Sequence, residues 1–234
     1  MVLSDEKKFI FIHIYKTGGT SLVDVLSKFS HPTITRKNTN GHATAIDLKW
    51  LLELSHNHTT FDDYHKFCVV RNPYSWHVSL YNWIKRDIYY TYPSKNGYPI
   101  IMRETNTHKD SAMFKKMTFN DYVIWLRDEG SKRPKFRKDI GPNFRDTWKP
   151  AFHTFQDFIR DEDGNIVVDD VLKIENLQSD FDVLCKKLDL GNITIPHLNK
   201  GFGGGWKEAY NDNSKEIITE IHKEDLDMFG YKFE

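Results

Sequence analysis

Residues 9–15, FIFIHIY, are β-branched and aromatic without a charge, the pattern of a strand buried on both faces. KTGG interrupts the run. TSLVDVLSKF then sets Leu22, Val25, Leu26 and Phe29 at helical spacing. Strand, glycine turn and helix in that order open a βαβ unit. A second helix is predicted over 45–55 and a second buried strand over 66–70, KFCVV. Asn72-Pro73 ends that strand, and a helix is predicted from Tyr74 to Tyr89. Residues 91–116, with Pro93 and Gly97, predict a long loop, 119–128 a helix, and the basic stretch 129–150 an exposed loop. Asp161-Glu162-Asp163-Gly164, between FQDFIR and NIVV, predicts a hairpin turn; it opens like a calcium loop but lacks the later ligands. A strand over 171–174, a helix over 177–188, a Gly-rich loop over 199–206 and a last helix over 214–228 complete the pattern. The fold class expected is α/β, a central and mainly parallel sheet flanked by helices.

Composition narrows the function classes. At 234 residues the chain has the length of a single domain, 1–234, with core enough to need no disulfide or metal. Lys plus Arg and Asp plus Glu both count 33, a net charge of zero. Nothing global marks a nucleic-acid or membrane binder, so an anion site must be a local concentration of charge. Cys68 and Cys185 lack metal-ligand spacing and read as small buried hydrophobes in a reducing compartment. The 11 histidines contain no spaced ligand set such as HExxH, and no metal is expected. No signal peptide or apolar run of spanning length is visible, so a soluble cytoplasmic protein is expected. The sequence leaves the oligomeric state open.

Two motifs carry chemistry. In His13-Ile14-Tyr15-Lys16-Thr17-Gly18-Gly19-Thr20-Ser21 a strand passes through a glycine turn into a helix. A helix start offers N–H groups and partial positive charge to an anion. Gly18 and Gly19 permit close backbone approach, Thr20 and Ser21 add hydroxyls, and Lys16 adds a full charge. The same residues also fit a capped helix with a solvated lysine. A Walker A loop needs its lysine after the glycines; here Lys16 precedes them and the loop is shorter. The second motif, Val70-Arg71-Asn72-Pro73-Tyr74-Ser75-Trp76-His77-Val78-Ser79, again follows a buried strand and opens a helix. Arg71 stands at the strand's C-terminal end, where open α/β sheets bind ligands, and its guanidinium can clamp a phosphate. Ser79 follows two turns into the helix; a structural ion pair for Arg71 is the alternative. Together the motifs describe two anion sites, as a nucleotide with 5′ and 3′ phosphates requires.

At these residues the chain resembles the sulfotransferases that use 3′-phosphoadenosine 5′-phosphosulfate (PAPS). YKTGGTS resembles their 5′-phosphosulfate loop and VVRNPYSWHVSLYNW their 3′-phosphate motif. The likeness is strongest to the carbohydrate branch, with its heparan sulfate 2-O- and chondroitin-type enzymes and small bacterial relatives. KIENLQSDFDVLCKKLDL, PHLNK and DLDMFGYKF extend it from about residue 9 to 233. The resemblance implies a single P-loop-like domain, PAPS as co-substrate and a hydroxyl acceptor on a glycan. It assigns Lys16, Thr17, Gly18, Gly19, Thr20 and Ser21 to the 5′-phosphosulfate, Arg71 and Ser79 to the 3′-phosphate, and Lys200 and Gly201 to closure over the nucleotide. The stretch GFGGG departs from the serine-containing form of that last loop.

Sulfuryl transfer resembles phosphoryl transfer, in which positioning and charge stabilisation carry the catalysis. Lys16 is the candidate to neutralise the leaving oxygen. A general base near neutral pKa favours histidine. His42, in Asn40-Gly41-His42-Ala43, is the candidate, in the interval where the 2-O-type enzymes carry a Gly-His base; His13 and Asp47 compete with it. The basic loop Lys132–Lys138 is a candidate for an anionic acceptor or a solvated loop. Trp76, Trp83, Trp125, Trp148 and Trp206 are candidates for a sugar platform. A P-loop-type kinase and a non-catalytic nucleotide- or glycan-binding module are the competing readings; Mg²⁺ dependence and the effect of Lys16→Ala separate them.

Overall fold

Strands β2 (Phe9–Ile12) and β3 (His65–Val70) pair in parallel, Phe9 opposite His65 and Ile12 opposite Cys68, and form the centre of the sheet. These and the following features come from a computed structural model that describes residues 1–30, 42–54, 59–85, 88–93, 99–104, 111–130, 153–196 and 205–234. Strand β1 (Val2–Ser4) adds antiparallel to β2, and β6 (Asp170–Lys173) adds parallel to β3, giving the order β1-β2-β3-β6.

Strand alternation sorts the side chains onto two faces. Ile10, Ile12, Cys68 and Val70 join one apolar cluster; Phe9, Phe11, Phe67 and Val69 join the other. Helices α1 (Gly19–Leu26) and α7 (Leu177–Lys187) cover the phenylalanine face through Leu22, Leu26, Phe181 and Leu184. The isoleucine face is covered by α2 (Ala45–Leu54), α3 (Pro73–Ile84), α5 (Phe119–Gly130), α8 (Asp212–Ile221) and α9 (Lys223–Phe229), through Leu48, Leu80, Tyr122, Ile218 and Leu226. Each fully buried side chain of this size contributes roughly 1.5–3 kcal/mol. The expected α/β class, a mainly parallel sheet between helices, is what forms. Cys68 and Cys185 are both free and buried, one in each cluster. Among the described residues no helix is long and apolar enough to cross a membrane.

Several elements differ from the sequence pattern. Strand β2 stops at Ile12 because the next carbonyls serve the loop: Thr17 Oγ1 donates to Ile14 O at 2.9 Å. Helix α3 ends at Ile84, where Lys85 Nζ donates to Tyr81 Oη and the Met117 carbonyl. The expected loop over 91–116 contains parts of an antiparallel pair, β4 (Ile88–Pro93) with β5 (Pro99–Glu104), and a short helix α4 (Ser111–Lys116). FQDFIR is no strand: α6 (Gln156–Ile159) forms there, and the hairpin shrinks to one bridge, Arg160 to Ile166. The Asp161 turn itself is present, its carboxylate accepting from the N–H groups of Asp163 and Asn165.

The last helix is two helices, broken at His222. There His222 Nδ1 lies 2.7 Å from Asp225 Oδ2, and Asp225 also accepts from the N–H groups of Phe155 and Gln156. His222 Nε2 meets His77 Nε2 at 2.8 Å, and His77 Nδ1 reaches Tyr122 Oη at 3.2 Å. All four side chains of this chain of polar groups are buried.

Candidate functional site

The C-terminal ends of β2, β3 and β6 lead into the loops that carry Lys16, Arg71 and Glu175. Lys16 adopts φ 59°, left-handed for a residue with a side chain, at a cost on the order of 1–2 kcal/mol. Gly18 follows at φ 81° as the N-cap of α1. Among the described residues no side chain caps this helix start, and its first turn holds no acidic residue, so its N–H groups and dipole favour an anion. Gly19 is needed for a different reason: a Cβ there would lie 2.0 Å from His13 Cδ2. Thr17 is fully buried with its hydroxyl held by the Ile14 carbonyl, which leaves its backbone N–H as its means of meeting a ligand. Thr20 is exposed and Ser21 buried.

Two bonds from the segment that leaves β3 and opens α3 bring the second motif to this loop. Arg71 Nη1 donates to the Lys16 carbonyl at 3.2 Å, and Trp76 Nε1 donates to the Tyr15 carbonyl at 2.6 Å. Arg71 Nε donates to Ser75 Oγ at 2.8 Å. These use two of the five N–H groups of the guanidinium. Burial lowers the Arg71 pKa from its ordinary value, while Glu175 and Tyr231 act against that shift. Glu175 Oε1 accepts from the Asn72 N–H at 2.9 Å, and Glu175 Oε2 accepts from Tyr231 Oη at 2.8 Å. Burial first, then Glu175, raises the Tyr231 phenol above its usual range, so it stays protonated and donates. Ser79 is half-buried one turn beyond Ser75, on the stripe that continues to Trp83. The Lys16 ammonium lies 5.9 Å from the centre of the Trp83 ring.

His42 stands over the loop. Its ring centre is 4.3 Å from that of His13 and 4.1 Å from that of Tyr15. Its Nδ1 lies 2.8 Å from the His13 carbonyl. A carbonyl only accepts, so Nδ1 carries the hydrogen and the lone pair of the neutral ring is on Nε2. The competitors have other work. His13 is buried against Gly19, and Asp47 closes a capping box with Thr44 at the start of α2.

The structure therefore gathers Lys16 to Ser21, His42 and Arg71 around the strand ends, with Ser79 farther along α3. Lys200, Gly201, the basic loop 132–138 and Trp148 lie outside the described residues. Trp76 is fully buried with its indole N–H committed to Tyr15, which removes it as a sugar platform. Sequence reading missed Ser75, Glu175 and Tyr231. Ser75 was findable, four residues after Arg71 on a predicted helix. Glu175 reaches Asn72, and Tyr231 reaches Glu175, only through the tertiary fold.

A family model described as "Sulfotransferase family" matches residues 1–232. None of the curated proteins matches the sequence. Among solved structures the chain is similar to mouse sulfotransferase SULT7A1 complexed with PAP, at 13% identity over 96% of this chain and 85% of that one, with a TM-score of 0.36. An overlay that loose transfers no residue positions.

Proposed function

This chain belongs to the sulfotransferase family, whose sulfuryl donor is PAPS, and from that premise we propose that it sulfates a carbohydrate hydroxyl with His42 as the general base. The reading rests on the 3.2 Å bond from Arg71 to the Lys16 carbonyl, which sets both anion motifs at one place. The N–H groups at the start of α1, with Lys16, Thr17, Gly18, Gly19, Thr20 and Ser21, hold the 5′-phosphosulfate. Arg71 and Ser79 hold the 3′-phosphate. Lys200 and Gly201 close over the nucleotide, a role carried by resemblance alone.

The acceptor oxygen attacks sulfur in line as its proton passes to His42 Nε2. The bond from sulfur to the bridging oxygen breaks, and its electron pair leaves on the 5′-phosphate. Lys16 neutralises that growing charge. The products are the sulfated acceptor and 3′-phosphoadenosine 5′-phosphate (PAP). Charge balance of this kind calls for no metal. The preference for a glycan is supported by the likeness to the carbohydrate branch.

Titration calorimetry with PAP in EDTA, on wild type and Arg71→Ala, tests the donor site. Tight binding that collapses in the variant, with 5′-AMP far weaker, is expected. Equal affinity for PAP and 5′-AMP would remove the two-phosphate clamp. A panel of polysaccharides and small alcohols and phenols with PAPS then tests the acceptor class; turnover only on phenols would overturn the glycan.

A further inference from the structure

We infer that Ser75 and Arg71 form a brace that sets the backbone of Lys16, so that Arg71 positions the 5′ loop as well as meeting the 3′-phosphate. The inference rests on the donor-site reading above for the meaning of the two ends. Its geometry does not.

Three successive carbonyls at the start of the loop are each held. Ile14 accepts from Thr17 Oγ1, Tyr15 from Trp76 Nε1 and Lys16 from Arg71 Nη1. The last two donors both belong to the motif that ends β3 and opens α3. Lys16 needs such support, because φ 59° is a conformation that a residue with a side chain keeps only when its surroundings enforce it. Across a trans peptide the Thr17 N–H lies opposite the Lys16 carbonyl, so holding that carbonyl also fixes where the N–H points.

The guanidinium can act as a brace because it is itself held at a second point. Its Nε donates to Ser75 Oγ at 2.8 Å, and Ser75 Oγ donates to the Asn72 carbonyl at 3.1 Å. Two anchor points fix a planar fork in orientation, which a lysine at this position could not reproduce. Ser75 is buried, so its hydroxyl meets little competition from water. Its hydroxyl is engaged by Arg71 on one side and the Asn72 carbonyl on the other. It is a positioning residue, and through it the order of one phosphate site reaches the other.

The test needs a probe that lacks the 3′-phosphate. Adenosine 5′-phosphosulfate reports the 5′ loop alone, measured by competition against PAP. If Arg71 served only the 3′-phosphate, Ser75→Ala and Arg71→Lys would bind this probe as wild type does. The brace predicts that both variants bind it about fivefold more weakly or worse. It also predicts faster amide exchange at Gly18–Ser21 in the unliganded variants, with β2 and β3 amides at wild-type rates. Unchanged affinity for the probe together with unchanged exchange overturns the brace. A wild type that fails to bind PAP overturns the donor-site reading, while amide exchange still decides whether the brace exists. Should Ser75→Ala lose protection throughout the sheet, Arg71→Lys, which keeps the charge and Ser75, decides the matter.

Discussion

Gly19 shows how one missing side chain organises the site. His13 fills the space where its Cβ would stand, at 2.0 Å, and the His13 ring in turn stacks on Phe11 and meets His42 at a tilt. Gly19→Ala therefore pushes on the ring that carries His42. We expect a loss of about 1–3 kcal/mol, as for other overpacked sites, read as a drop of several degrees in Tm. Combining it with His13→Ala should cost less than the sum of the two changes, which a double-mutant cycle measures. His42 itself predicts a separate outcome. His42→Gln should lower PAPS turnover at saturating substrate by about 10²–10⁴-fold while PAP affinity in calorimetry stays near wild type. An unaltered rate would pass the role of base to another group.

Among the elements, α3 connects most of what matters. Asn72 caps it, its Oδ1 accepting from the Tyr74 N–H at 3.1 Å, and its Nδ2 donates to the Lys232 carbonyl at 2.8 Å. Asn72→Ala removes both bonds and should cost about 1–2 kcal/mol in urea unfolding. The PAP affinity should fall with it, since Arg71 sits one residue before the cap. Much of this was legible in the sequence. FIFIHIY and KFCVV read as central strands, and the glycine turn and RNP placed Lys16 and Arg71 at strand ends, because local pattern dictates those features. The pair β4–β5 was missed because Pro93 and Gly97 suggested a loop, although IYYTYP and PIIMRE are rich in strand formers. The break at His222 was hidden because its cause, Asp225 binding the N–H groups of Phe155 and Gln156, lies some 70 residues away. Ser75, Glu175 and Tyr231 escaped notice for the same reason in two of three cases: their partners are set by topology, not spacing.

The molecule as a whole carries its acid sensitivity in the interior. His222 Nδ1 faces the Asp225 carboxylate and therefore bears a hydrogen, and one proton lies between the two Nε2 atoms. With that proton on His77 Nε2, a further one on His77 would go to Nδ1, which faces the Tyr122 hydroxyl, and would leave a charge on a fully buried ring. Burial first, and His222 second, hold His77 well below its ordinary 6.5. The unfolded chain takes up that proton near 6.5 and the folded chain does not. The contribution of His77 to stability is thus level above that pH and falls as pH drops below it, by up to about 1.4 kcal/mol per pH unit for one proton. Urea unfolding between pH 8 and 5 should show the slope, and His77→Gln, which cannot titrate, should flatten it. The lowered carboxylates, such as Asp170, begin to matter only at more acidic pH. The bond between Asn72 and Lys232 spans 160 positions of sequence, and Tyr231 and Phe233 reach the same end of α3 through Glu175 and Tyr74. On the ribosome the YKTGGTS and RNP motifs emerge long before these buttresses. A nascent or stalled chain would display every residue of the YKTGGTS and RNP motifs yet lack the support behind Arg71, so on the donor-site reading proposed above nucleotide affinity is expected only once residues 231–233 have been made.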